Sequence, residues 1–367
     1  MPLSQSFTAR ARRIAAACVA LVAFAACSDA PNGITPPAPP SDPNLAAVGR
    51  ADDLGPALAA QGKHTRRLMR DRDLLGTAVG RLNDGRPEVT VFARNAGAAA
   101  RVPKHLDGVP VTVEVTGEIK ALPATSKTSP HAKGGGRAGS GSISPTDYAR
   151  PAYVGMSTGN ALECAAGTIG AKISKSGTIY ALSNNHVYAR ENAASLGETI
   201  YQPGRYDLGC ASGSQYAWAT LAFFKTISFS GTNTVDVALA KLNNAGQLNA
   251  TTPPNGYGAP SSTPANATLN MAVMKYGRTT ALTTGVVVGV NVTIQVQYTD
   301  GVATFANQVQ IRGDKTAFSR AGDSGSLIVT RTGRNPVALL FAGGGTSTFA
   351  NPIGAVLQAV GGTIVSQ

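Results

Sequence analysis

Three short stretches of this 367-residue chain carry residue types that could do chemistry together. One reads Arg320-Ala321-Gly322-Asp323-Ser324-Gly325-Ser326 and runs into the apolar Leu327-Ile328-Val329. A serine between glycines at the mouth of a strand presents a nucleophilic hydroxyl beside bare N–H groups, because small residues let the main chain approach a substrate and shield no donor. The backbone N–H groups of Gly322, Asp323 and Ser324 are the natural donors for an oxyanion, while the Asp323 side chain is read as shaping the turn. Alone, the string fits a glycine-rich turn equally well. It needs a base and an orienting carboxylate.

The base must titrate near neutrality, which points to histidine. His64 and His105 fall in an N-terminal region and His131 in a Gly/Ser-rich stretch, leaving His186 as the one histidine of the long C-terminal region. It lies in Leu182-Ser183-Asn184-Asn185-His186-Val187, where an apolar strand breaks into polar residues. An imidazolium beside the nucleophile requires a buried carboxylate to fix its tautomer and offset its charge. Of Asp147, Glu163, Glu191, Glu198, Asp207, Asp236, Asp300, Asp314 and Asp323, all but two read as turn or surface positions. Asp236 stands apart as the only charge inside Val235-Asp236-Val237-Ala238-Leu239-Ala240, an apolar strand where an unpaired carboxylate would be costly.

The elements that must position these residues are short β runs. Residues 148–367 read as strands at 167–174, 178–183, 217–227, 235–242, 271–276, 285–298, 304–312, 326–330 and 337–342, punctuated by Gly, Asn, Pro and Thr, with one short helix near 352–360. The pattern predicts an all-β sandwich or barrel. Residues 49–122 read as a small α+β domain: a helix over 51–73, strands at 76–82 and 88–93 joined by the hairpin signal Asn83-Asp84-Gly85, and an alternating strand at 109–115. Between them, residues 123–147 lose all periodicity and read as a flexible linker.

The N-terminus is a targeting segment. Arg10, Arg12 and Arg13 precede an apolar run, Ile14 to Ala26, that is too short to span a bilayer as a mature helix. Its end, Phe24-Ala25-Ala26-Cys27, resembles a bacterial lipoprotein cleavage site, so residues 1–27 are expected to be a signal peptide with lipidation at Cys27. An ordinary secretory signal is the alternative. Residues 28–48 are a proline-rich tether. Removing residues 1–27 takes away three arginines and no acids, so the net charge of +12 falls to +9. No basic motif interleaved with aromatics accompanies that charge, which argues against nucleic acid as a partner. Contact with a membrane is expected only through the lipid. Cys164 and Cys210, the remaining cysteines, most simply form one disulfide in an exported domain and lack the spacing of a zinc site.

His186, Asp236 and Ser324, in that order, lie in strings similar to the histidine, aspartate and serine motifs of chymotrypsin-like (trypsin-like) serine peptidases. The segment Lys275-Tyr276-Gly277-Arg278-Thr279-Thr280 is similar to bacterial members at the start of the second barrel. The chain resembles bacterial and plant members with an Asn-Asn-His-Val motif and a small preceding domain. The resemblance covers roughly residues 150 to 367. It implies a double β-barrel with His186 and Asp236 on the first barrel and Ser324 on the second, acting as a Ser-His-Asp triad through an acyl-enzyme, with no metal or organic cofactor. It also places the specificity pocket at Phe318 and at Ala342-Gly343-Gly344-Gly345, with an uncharged base.

Three departures set further expectations. Asn184-Asn185 replaces the small residues usual before the histidine, and Phe318 gives no reason for a Lys or Arg preference. In activated animal members the residue matching Asp323 meets a newly cut N-terminus, whereas here it is expected to meet a basic side chain such as Arg320. The reading is an exported serine endopeptidase whose activity falls off below about pH 6.5 as the base protonates. A silent trypsin-like binding module, or an esterase using the same triad, stands as the alternative.

Overall fold

The computed structural model describes residues 53–121, 123–125 and 143–366. The signal peptide, Cys27, the tether, His131, Leu122 and most of the linker lie outside these residues. Gly49–Gln367 forms one compact unit.

The molecule is a double β-barrel of chymotrypsin type with a short C-terminal helix, preceded by a small α+β region. In the first barrel the strand order is Thr363–Ile364, Ala171–Lys175, Thr178–Ser183, Ala238–Leu242, Ala217–Phe224, Thr199–Tyr201, Ser157–Asn160, Ala165–Thr168. Its core gathers around the fully buried Trp218 with Met156, Ile169, Tyr188 and Ile200. The second barrel closes on itself through Val302–Gly313, Ser347–Pro352, Pro336–Gly344, Leu327–Thr330, Ala272–Gly277 and Ala281–Gln297, because the last strand also pairs with the first. A shared cluster joins the barrels: Ile173, Leu182 and Leu239 of the first meet Tyr276, Leu327 and Leu339 of the second, under the helix Ile353–Val360.

The hairpin of Ala281–Gln297 and Val302–Gly313 is much longer than its neighbours, and this decides where the N-terminal region attaches. Of strand Ala281–Gln297, Ala272–Gly277 pairs with residues 281–286 alone, leaving one edge of the later residues unpaired by the barrel. An open edge is a template for another strand. Leu74–Arg81 takes it, with Gly76 opposite Ile294 and Val79 opposite Val290. Pro87–Ala93 and Val109–Val115 extend the same sheet, the latter running parallel to its neighbour. Gly76 is required at this join: a Cβ there would stand 2.1 Å from Thr293 O.

The helix runs over Gly55–Leu68, shorter than the apolar spacing predicts at its C-terminal end, and Pro56 sets its first turn. It lays Ala57, Ala60 and Leu68 on Val79, Val89 and Val91. Gln61 reaches the hairpin, donating to Asn291 O at 2.8 Å and accepting from Asn291 Nδ2 at 2.9 Å. The turn signal Asn83-Asp84-Gly85 closes the expected hairpin, with Gly85 at φ +86°. Two very short strands arise where only linker or its approach is expected: Lys120–Ala121 and Ala124–Thr125.

Candidate active site

Each barrel brings one part of the site to the seam. Strand Thr178–Ser183 ends at Ser183, and Asn185–Tyr188 then makes a single helical turn that carries His186. Asp236 lies just ahead of strand Ala238–Leu242 rather than inside it, because residues 235–237 take no ladder pairing. Its backbone is held instead by side chains: Asn184 Nδ2 donates to Asp236 O at 2.8 Å, and Asp236 N donates to Asn351 Oδ1 at 3.0 Å. The two asparagines before the histidine thus have separate tasks. Asn184 fixes the aspartate segment, while Asn185 Nδ2 donates to Asn192 Oδ1 and Lys225 O, both at 2.8 Å.

The His186 ring and the Asp236 carboxylate are fully buried and paired, with Nδ1 to Oδ2 at 2.6 Å. Asp236 Oδ1 accepts from the His186 backbone N–H at 3.3 Å. With Nδ1 engaged, Nε2 is left for a proton, and among the described residues it has no hydrogen-bond partner. Burial pulls the imidazole pKa down, but the Asp236 charge and hydrogen bond push it up further, so it sits above its ordinary 6.5.

Ser324 arrives from the second barrel, ahead of strand Leu327–Thr330. Gly167 brings the parts together, since a Cβ there would lie 2.5 Å from Val187 Cγ2 and 3.0 Å from Ser324 O. Thr168 stitches the Ser324 loop to the first barrel: its N–H donates to Ser324 O at 2.7 Å and its hydroxyl to Gly322 O at 2.8 Å. Gly325 holds φ +91°, where a Cβ would strike Ser183 Oγ and Thr168 O at 2.3 Å. No other residue type fits that turn. The Ser324 hydroxyl donates a long 3.3 Å bond to Phe341 O.

The oxyanion donors need one correction. Asp323 N donates to Arg320 O at 3.0 Å and closes the turn, so it is spent. Among the described residues, Gly322 N and Ser324 N face no acceptor.

Asp323 also finds a different partner from the one expected. Lys275, fully buried on strand Ala272–Gly277, places Nζ 3.5 Å from Asp323 Oδ2, whereas Arg320 offers only its backbone N–H, at 2.9 Å. Thr279 N and Thr280 N donate to Asp323 Oδ1, and Thr280 Oγ1 donates to Oδ2 at 2.7 Å. A lysine rooted in a barrel strand is already inside, whereas the Arg320 side chain would have to fold back over its own turn. Burial lowers the Lys275 pKa, with the Asp323 charge opposing it.

The residues assigned to the pocket divide. Phe318 is buried among Val273, Val287, Ile311 and Ile328 in the barrel core. Beside it, Ser319 Oγ and Thr348 Oγ1 share a 2.6 Å hydrogen bond. Ala342 is fully buried, Gly343 and Gly344 are half-buried and Gly345 is exposed. Cys164 and Cys210 form the expected disulfide, with Cα atoms 5.1 Å apart. Asp207, read as a turn or surface position, is paired almost out of solvent with Arg278, whose Nε donates at 2.8 Å. Sequence reasoning also missed Thr168, Tyr298, Gln308 and Asn351, polar residues inside strands or at their ends with no motif around them. Tyr298 OH donates to Asp236 Oδ2 at 2.9 Å.

A paired, buried histidine and carboxylate, a serine on a glycine-flanked turn and two barrels define the chymotrypsin class of serine proteases. The trypsin family's sequence model matches residues 141–356, and the chain belongs to that family. Membership supports proteolysis, with polypeptides as substrates. No curated protein matches the chain. Among solved structures, a glutamic-acid-specific serine protease that uses a histidine triad in substrate binding is 22% identical, over 58% of this chain and 100% of that one, with a TM-score of 0.42. Thermobifida fusca protease A is 18% identical over 59% and 100% (TM-score 0.42), and Cellulomonas bogoriensis chymotrypsin 19% over 55% and 91% (TM-score 0.36).

Proposed function

We propose that this chain is an exported serine endopeptidase acting through Ser324, His186 and Asp236. The observation that carries the reading is the buried 2.6 Å His186–Asp236 pair, and a serine loop in which two N–H groups are unengaged among the described residues supports it. In attack, the Ser324 hydroxyl leaves Phe341 O, gives its proton to His186 Nε2, and Oγ bonds to the substrate carbonyl carbon. Gly322 N and Ser324 N take the oxyanion. His186 returns the proton to the departing amine as the C–N bond breaks, and water then hydrolyses the acyl-enzyme by the same relay. The preformed Lys275–Asp323 pair sets the oxyanion loop without a freshly cut N-terminus.

Export is supported by the basic and apolar start of the chain and by the Cys164–Cys210 disulfide, which suits an oxidising compartment. The Phe24-Ala25-Ala26-Cys27 string supports a lipid anchor at Cys27, tethering the enzyme to the bacterial envelope. Hydrolysis of a fluorogenic peptide library tests the central reading. Wild type should cleave internal peptide bonds with an acid limb above pH 6.5, and Ser324→Ala should not cleave at all. Equal turnover by both would remove the proposal, and turnover of esters alone would redirect it to an esterase.

A further inference from the structure

We infer that Tyr298 is a positioning residue for the base, its hydroxyl fixing the Asp236 carboxylate against His186; this rests on the triad reading above. The hydroxyl donates to Asp236 Oδ2 at 2.9 Å, the same oxygen that meets His186 Nδ1 at 2.6 Å. Asp236 Oδ1 accepts the His186 backbone N–H at 3.3 Å. Three donors thus converge on a fully buried carboxylate, and together they fix its plane. The phenol ring stands edge-on to the imidazole, with centroids 6.1 Å apart.

The same hydroxyl constrains where the protons of the pair reside. Burial and the Asp236 charge push the Tyr298 phenol well above 10, so it keeps its proton and acts as a donor. Asp236 Oδ2 therefore accepts from two directions as an ionised carboxylate, and the proton between it and the imidazole belongs to Nδ1. Nε2, which has no partner among the described residues, is then the nitrogen that takes a proton.

Tyr298 is delivered by the second barrel to a pair carried on the first. It follows strand Ala281–Gln297 at the turn of the long hairpin. Its N–H donates to Gly301 O at 2.8 Å, and its own carbonyl accepts from Gln297 Nε2 at 2.6 Å. The rings of Phe229 and Phe305 flank it, with centroids 6.0 and 6.1 Å away. Beside it, Thr299 N donates to Glu191 Oε2 at 2.8 Å, which ties the hairpin turn to the segment that follows the His186 helical turn. The tyrosine is 3% exposed in a cluster with Phe305, Phe341 and Phe349, where phenylalanine alone satisfies the packing. A buried hydroxyl in such surroundings is costly unless bonded, and its partner is the aspartate.

Tyr298→Phe removes only the hydroxyl. Glu191 and Glu163, which also push the imidazole pKa up, stay in place, as does Arg190 in its pair with Glu198. The carboxylate then bonds to His186 alone and holds the imidazolium more tightly, so the base protonates at higher pH.

The test is the pH profile of Ser324 labelling by a fluorophosphonate, compared between the full chain and its Tyr298→Phe variant, with melting temperatures alongside. The midpoint should move to higher pH, with labelling at pH 7 falling several-fold and the melting temperature little changed. An unmoved or lowered midpoint, whatever the melting temperature, would mark Tyr298 as packing only and overturn the inference. A nitrogen NMR titration reads the imidazole without the nucleophile: His186 should titrate at higher pH in the Ser324→Ala, Tyr298→Phe double variant than in Ser324→Ala. Equal values would overturn the inference by themselves. No Ser324 adduct in the wild-type chain at any pH would instead overturn the triad reading, and the role assigned to Tyr298 with it.

Discussion

His186 carries opposite consequences for activity and for stability. Its folded pKa is raised above 6.5, so the charged His186–Asp236 pair contributes stability that is fully present below pH 6.5 and is lost as pH rises through the folded value. The proposed mechanism needs the neutral ring to accept a proton, so activity is expected to climb across that same window. Melting curves of wild type and His186→Gln should therefore differ most near pH 6 and converge towards pH 9, while peptide hydrolysis by wild type rises. Lys275 makes a second test. Lys275→Met leaves the Asp323 carboxylate buried without its cation, which should cost about 3–5 kcal/mol and disorder the oxyanion turn. Chemical denaturation measures the first effect, and loss of phosphonate labelling measures the second. Both follow from pairs that motif and elimination could half see. His186 and Asp236 were legible because the C-terminal region holds one histidine and one acid in an apolar run. Lys275 was not, because nothing in Lys275-Tyr276-Gly277 says that the amine points inward.

Strand existence was legible wherever a run was apolar and bounded by turn residues, and Thr178–Ser183 was placed to the residue. What the pattern missed are strands whose only reason to exist is the partner across from them. Ser157–Asn160, Thr199–Tyr201, Lys120–Ala121 and Ala124–Thr125 are short, small or polar, and their pairing is a tertiary event that local propensity does not encode. The long hairpin shows the same limit. Its length is visible as apolar alternation, but the open edge around residues 290–294, filled by Leu74–Arg81, is a property of the closed barrel. Gly76→Val tests that join. With Thr293 O only 2.1 Å from the new Cβ, the strand must shift, and overpacking of this kind costs about 1–3 kcal/mol. Urea melts of the full chain should show it. Unchanged stability would mean that the sheet does not depend on this contact.

The whole molecule reads as two barrels that share a core, with the N-terminal region continuing the sheet of the second. One disulfide crosses the first barrel region and closes a span of 46 residues. A loop of that length should contribute about 4 kcal/mol through the unfolded state. Cys164→Ala with Cys210→Ala should lower the denaturation midpoint accordingly, and a reducing agent should do the same to wild type alone. The general plan was legible because catalytic motifs, strand rhythm and cysteine count agreed with one another. The pairing of Lys120–Ala121 with Ala342 and Gly343 was not, since it joins residues more than 200 apart in sequence.

The measurement that bears most directly on this account is mass mapping of the fluorophosphonate adduct on the full chain. The account predicts one adduct, on Ser324, lost in Ser324→Ala and strongly slowed in His186→Gln. An adduct elsewhere, or labelling indifferent to both substitutions, would contradict it.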